Sequence, residues 1–276
     1  MSILLYIGTV LLSTTQATLG KLVGGEGNQT AFNLCKSVAA LVMFSVFGIF
    51  SFSFNVPTLI YGTVFGVFLY LATWSSLSAF ICGPMALTSM IASFSLIIPC
   101  TYGIAFLEEP CTLFTVCGFV LLSAAFILIS YKKKNDKAIS AKWLIITVIT
   151  LITNGICSLI MKLHQIDFPE KYQNDFMIYA YLVASIMFVI ELLIKQNKSK
   201  CFDIKGVLAG LANGGGNYLT IYLASGEDAS IMFPIISVLT AVTALSAGRL
   251  IFKEKLSLIQ IIGFAFGIAS VVLLKL

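Results

Sequence analysis

Long apolar runs separated by short polar breaks make up almost the whole chain. Runs of the roughly 20 residues needed to cross a hydrocarbon core as a helix fall at roughly 2 to 22, 31 to 51, 58 to 80, 84 to 106 and 112 to 131. A basic stretch follows, with Lys132, Lys133, Lys134, Lys137 and Lys142. The runs then resume at roughly 143 to 164, 176 to 195, 204 to 224, 229 to 252 and 256 to 275. The pattern predicts an all-α polytopic membrane protein with about ten transmembrane helices. Five lie in residues 1–131 and five in 143–276, on either side of a basic linker at 132–142.

The breaks are tight turns such as Cys82-Gly83-Pro84, Glu108-Glu109-Pro110 and Gly226-Glu227-Asp228. None is long enough to hold a soluble domain, so function must reside among the helices. Composition agrees: 59% of residues are hydrophobic and 11% charged, against about 25% charged in soluble domains, and mean hydropathy is +1.00. The first run lacks a basic region before it and a cleavage pattern after it, which predicts a retained helix. Seven scattered cysteines and a single histidine, His164, support neither a disulfide framework nor a metal site. No cofactor is expected, and no catalytic cluster of acids, nucleophile and base is visible.

The second half repeats the first when slid by about 145 residues. Phe106-Leu107-Glu108-Glu109 with Gly118 falls on Ile251-Phe252-Lys253-Glu254 with Gly263, and Gly103 falls on Gly248. One residue of slippage brings Gly62 and Gly66 onto Gly206 and Gly210, while Lys21 near the end of span one answers Lys162 near the end of span six. An odd number of spans per copy requires the copies to be inverted with respect to each other, an arrangement typical of secondary transporters.

Lys and Arg are distributed asymmetrically. Loops after odd-numbered spans hold Lys21, Lys132, Lys133, Lys134, Lys137, Lys142, Lys195, Lys198, Lys200, Lys205, Arg249, Lys253 and Lys255; the other side holds Lys162, Lys171 and Lys275. The positive-inside rule places the basic side in the cytoplasm and both termini outside a plasma or inner membrane. The net charge of +5 thus reflects topology, and no nucleic-acid partner is expected.

With this layout, a Lys closing the first helix of each half, a basic residue early in the second helix, and a Glu, short link and Gly-containing last helix (Glu109 to Gly118, Glu254 to Gly263), the chain resembles the drug/metabolite transporter superfamily, specifically EamA-type ten-helix proteins. The resemblance implies a secondary carrier whose spans one, three, four, six, eight and nine line the path. It also implies cytoplasmic termini, against the charge count, which is preferred here. Four-helix multidrug relatives couple drug to proton through a Glu in the first helix. Span one here carries Ser13, Thr14, Thr15 and Gln16, and span six carries Thr153 and Asn154, so that mechanism is not expected.

Intramembrane polar residues are costly and mark cavities, partners or interfaces. In span eight, Asn213-Gly214-Gly215-Gly216-Asn217-Tyr218 fits either a substrate-facing site or a tight helix seam. Tyr70, Trp74, Ser75 and Ser76 combine rings and hydroxyls suited to an organic solute, or to packing. Gln16, Ser93 and Asn154 are further candidates for the translocation path. Pro99 and Pro234 each remove a helical hydrogen bond and predict bends or gates. Lys36, two turns into span two, is expected to snorkel to the headgroups, His164 to lie at the interface, and Glu191 to pair with Lys195 one turn on. Asn28 fits a helix cap or a glycosylation sequon. Gly263 and Gly267 in span ten suggest a homodimer face.

The sequence therefore predicts a carrier that moves a small organic metabolite through the bilayer by alternating access. The embedded charge favours neutral, zwitterionic or anionic solutes over organic cations. The alternative from another class is a non-transporting assembly partner or lipid flippase component.

Overall fold

The computed structural model describes residues 2–23, 28–49, 52–83, 85–109, 111–130, 140–195, 202–253 and 258–274. Of the positions weighed above, Pro84, Pro110, Lys132, Lys133, Lys134, Lys137, Lys198, Lys200, Cys201, Glu254, Lys255 and Lys275 lie outside these. The described residues are helical throughout, without strands: α1 (Ser2–Val23), α2 (Gln29–Gly48), α3 (Val56–Cys82), α4 (Met85–Ser93), α5 (Ile97–Phe106), α6 (Leu113–Ser130), α7 (Ala141–Asp167), α8 (Gln173–Ile194), α9 (Ile204–Gly226), α10 (Ala229–Ile251) and α11 (Leu258–Leu274). Six of these, α1, α2, α3, α7, α8 and α10, are long and apolar enough to cross a membrane. Large apolar side chains such as Leu4, Phe106, Leu113, Ile194 and Leu250 are more than two-thirds exposed on the outside of the bundle. That surface suits lipid and would be costly in water.

The span expected at 84 to 106 is divided between α4 and α5, joined by a 3-10 turn at Phe94–Leu96. Pro99 supplies the reason, because it has no N–H to give the carbonyl of Ser95 four residues back. That carbonyl lies against α7 at Gly155, where a β-carbon would come within 2.7 Å of it. Pro234, by contrast, lies inside an uninterrupted α10.

Helix ends are closed by side chains. Asn28 accepts from the Ala31 N–H and Asn55 from the Thr58 N–H, so Asn28 acts as a helix cap. Glu109, expected in a loop pair, is buried, and its carboxylate accepts the N–H groups of Ala229 and Ser230, both at 2.8 Å, at the start of α10. The amide donors at a helix start and the positive end of its dipole account for the burial of this acid.

The packing pairs α1 with α9, α3 with α7 and α8, α2 with α8 and α9, α10 with α1, α4 and α5, and α6 with α11. Glycines set two of these crossings. On α3, a β-carbon at Gly62 or Gly66 would lie 2.7 Å from Tyr179 Cβ or 2.6 Å from the Ala180 carbonyl of α8. On α9, Gly206 meets the Phe32 carbonyl at 2.7 Å and Gly210 meets Ala39 Cβ at 2.8 Å, both of α2. These are close backbone seams of the kind small residues permit in membranes. Gly263 and Gly267 are buried, with Gly267 turned to Val238 of α10 and Ala125 of α6, as the packing reading of this pair expects. One apolar core gathers Phe44, Phe65, Phe176, Tyr181 and Ile221. A second gathers Leu96, Leu122, Met232 and Leu245.

Candidate functional site

Between these cores lies a cavity of about 270 Å³ lined from α1, α2, α3, α4, α7, α9, α10 and the 3-10 turn. Its polar wall holds Ser13 and Gln16 of α1, Thr73 and Ser76 of α3, and Ser89 and Ser93 of α4. Asn154 and Ser158 of α7, Asn213, Asn217 and Thr220 of α9, and Ser237 and Thr240 of α10 complete it. Five sequence candidates, Gln16, Ser93, Asn154, Asn213 and Asn217, are thus brought together from four helices.

Three others lie elsewhere. Tyr70 turns away, donating to Glu191 at 3.3 Å and packing on Phe188. Trp74 is half-buried outside the cavity wall, whereas Thr73 and Ser76 of the same helix face it. Tyr218 sits on the far side of α9 against Phe44 and Phe47. Helical geometry explains the division: neighbours in sequence point about 100° apart, so a polar cluster cannot all face one lumen. Of the two proline candidates, Pro99 is buried beside the 3-10 turn and Pro234 is buried in α10 next to Phe233, which lines the cavity.

The glycine triplet both packs helices and borders the cavity. Gly214 packs on Ala40 and Met43 of α2, and Gly215 packs on Leu12 of α1. Gly216 lies 3.7 Å from Ser13 Oγ at the cavity wall by the same β-carbon measure. Asn213 and Asn217, one turn apart, are held by one hydroxyl. Tyr181 donates to Asn213 Oδ1 at 2.7 Å and accepts from Asn217 Nδ2 at 2.7 Å. Tyr181 is 1% exposed and stacked on Phe44. The outer atoms of both amides, Asn213 Nδ2 and Asn217 Oδ1, have no partner among the described residues. Sequence reasoning missed Tyr181; a tyrosine in an apolar helix, whose hydroxyl must find a partner, was the available signal.

Lys36 also departs from expectation. It is 7% exposed and lines the cavity instead of reaching for headgroups. The reason is its face: the Lys36 backbone is pressed against Gly210 of α9, which turns the residue inward. His164, in the last turn of α7, is fully buried, stacked on Phe176 and bonded to Gln165 and Thr58. Glu191 does pair with Lys195 and also accepts from Thr30.

Two further lysines act as clasps. Lys21, near the end of α1, donates to the Phe80 and Gly83 carbonyls at the end of α3, both at 2.7 Å. Lys162, near the end of α7, donates to the Ala224 and Glu227 carbonyls at the end of α9, at 3.3 and 2.6 Å. Each amine satisfies carbonyls that a helix end leaves without intrahelical donors.

An apolar-surfaced helical bundle around a polar, solute-sized cavity is a polytopic membrane protein in general form. The model of the EamA-like transporter family matches residues 138–276. The chain belongs to that family, and with it to the drug/metabolite transporter superfamily. A solved structure described as "Crystal structure of protein" matches with a TM-score of 0.76 at 13% identity, covering 99% of this chain and 95% of that one, a likeness of fold. No curated protein matches the sequence.

Proposed function

We propose that the chain is a secondary carrier that moves a small organic solute by alternating access. Residues 1–131 and 143–276 form two inverted five-helix repeats in this reading, with α4 and α5 as one interrupted span. The observation that carries it is the polar cavity, whose wall is contributed by both halves. An enclosed polar site at the junction of two such halves is what rocking of one against the other would expose to each side in turn.

The packing supports the repeat. If each helix is exchanged for its counterpart in the other half, α1·α9 becomes α7·α3 and α2·α9 becomes α8·α3, while α2·α8 and α6·α11 map onto themselves. The Lys21 and Lys162 clasps exchange in the same way, as do the glycine seams. Lys205 at the start of α9 reaches the Leu22 carbonyl at the end of α1, which supports opposite faces for the two clasps. The cavity adds α2 to the lining expected from the resemblance. Its position favours Gln16, Ser93, Asn154, Asn213 and Asn217 as solute contacts. By the charge count, the ends joined by Lys21 face the cytoplasm of a plasma or inner membrane.

Purified protein in liposomes preloaded with an unlabelled cell metabolite extract is expected to accumulate members of a ¹³C-labelled extract saturably, above protein-free vesicles. Flux that never saturates, or no accumulation, would sink the carrier reading and favour an assembly partner.

A further inference from the structure

Among the described residues, Lys36 is the only charged side chain on the cavity wall. The other buried or half-buried lysines among the described residues, Lys21 and Lys162, are engaged on helix-end carbonyls. Lys36 is as buried as these, yet has no ion-pair or hydrogen-bond partner among the described residues. A buried ammonium without a counter-charge is among the costlier things a fold can hold. Its backbone is fixed where α2 crosses Gly210 of α9, so the helix crossing itself keeps it on the wall.

The same wall carries three buried polar atoms that also lack partners: Gln16 Oε1, Ser89 Oγ and Thr240 Oγ1. They come from α1, α4 and α10, and with Lys36 of α2 they draw on four helices. Packing explains none of them, since each forfeits a hydrogen bond that a neighbouring side chain or backbone group would normally supply. The residues that carry them line the cavity, so a ligand there would give them partners once their side chains turn toward it.

Resting on the carrier reading above, we propose that the cavity takes a small solute bearing a single carboxylate. The carboxylate pairs with Lys36, and the solute's body carries at least one hydroxyl or amino donor for Gln16 Oε1. One carboxylate matches one cation. A phosphate dianion or a dicarboxylate would leave negative charge without a counter-ion, since no second basic residue lines the wall, and an organic cation would meet Lys36 with no acid to offset it. Size sets a further bound, because about 270 Å³ lies at the small end of ligand pockets, about 300–1,000 Å³.

The test is ligand-induced thermal stabilisation of the purified full chain in detergent, which involves no transport step. Matched solutes are lactate and lactamide, serine and serinamide, 4-hydroxybenzoate and 4-hydroxybenzamide, with succinate and glycerol 3-phosphate. At least one monocarboxylate is expected to stabilise the protein while its amide does not. Lys36→Gln should weaken that binding by about tenfold or more, the usual scale for a charge-assisted hydrogen bond, and Lys36→Arg should retain part of it. Without ligand, Lys36→Gln is expected to melt no lower than the parent, because it removes an unpaired charge; unliganded melting and gel-filtration profiles verify that each variant folds. Stabilisation by amides as strong as by acids, preference for succinate or glycerol 3-phosphate, no stabilisation by any monocarboxylate, or binding indifferent to Lys36→Gln would each overturn the inference. A carboxylate that binds through Lys36 yet is never moved by liposomes would sink the carrier and leave the site. Saturable carriage of neutral solutes independent of Lys36 would do the reverse.

Discussion

Tyr181 organises the α9 side of the cavity through a single oxygen. Its hydroxyl both donates to Asn213 and accepts from Asn217, so the two amides cannot rotate independently. Tyr181→Phe keeps the ring and its stacking on Phe44 but orphans both bonds. It is expected to cost about 1 kcal/mol, the scale of side-chain hydrogen bonds inside membrane bundles, read as a lower melting temperature in detergent. Solute affinity should fall with it, whereas Tyr218→Phe, on the side of α9 turned to Phe44 and Phe47 and away from the cavity, should leave affinity unchanged. Equal effects from the two variants would show that Tyr181 is packing alone. Lys36 makes the complementary point. Depth along a helix suggested snorkelling, but the direction of its face decided the outcome, and that direction depends on which neighbour α2 crosses. No single-helix pattern encodes that choice.

Element boundaries and the glycine pairs were legible because they follow from local chemistry: apolar runs of spanning length, an Asn cap at 28, and small residues four apart. The interruption between α4 and α5 was legible only in part. Pro99 announced a lost hydrogen bond, but the 3-10 turn also needed Gly155 of a distant helix to admit the Ser95 carbonyl. Glu109 as a cap for α10 was hidden for the same reason, since its partner N–H groups lie 120 residues away. The seams give a sharp test at this scale. Gly66→Leu forces a side chain into the α8 backbone at a site where even a β-carbon would be 2.6 Å from an oxygen. It is expected to cost at least about 1–3 kcal/mol, the usual range for overpacking, and to reduce the monodisperse fraction on gel filtration. Gly226→Ala, with nothing within 4 Å of a β-carbon, is the matched control and should behave like the parent. If the two variants behave alike, the α3–α8 seam is not the tight crossing described.

For the molecule as a whole, charge asymmetry and architecture make separate predictions. In a background without native cysteines, Glu170→Cys is expected to react with a membrane-impermeant thiol reagent in intact cells, and Lys142→Cys only after permeabilisation. The opposite pattern would place both termini in the cytoplasm and overturn the charge-based orientation. The family and the all-helical class were within reach of the sequence. The cavity was not, because its wall is assembled from seven helices and each contributes only a few polar atoms. The pairing of α1 and α2 with α9, and of α3 with α7 and α8, has a consequence in time. A ribosome delivers α1, α2 and α3 to the bilayer while the helices they will pack against are still unsynthesised, so the early segments wait in lipid with Gln16 and Lys36 unburied. Only when α9 arrives can Gly210 close over α2, which makes the completion of synthesis, and not the insertion of each helix, the event that creates the cavity.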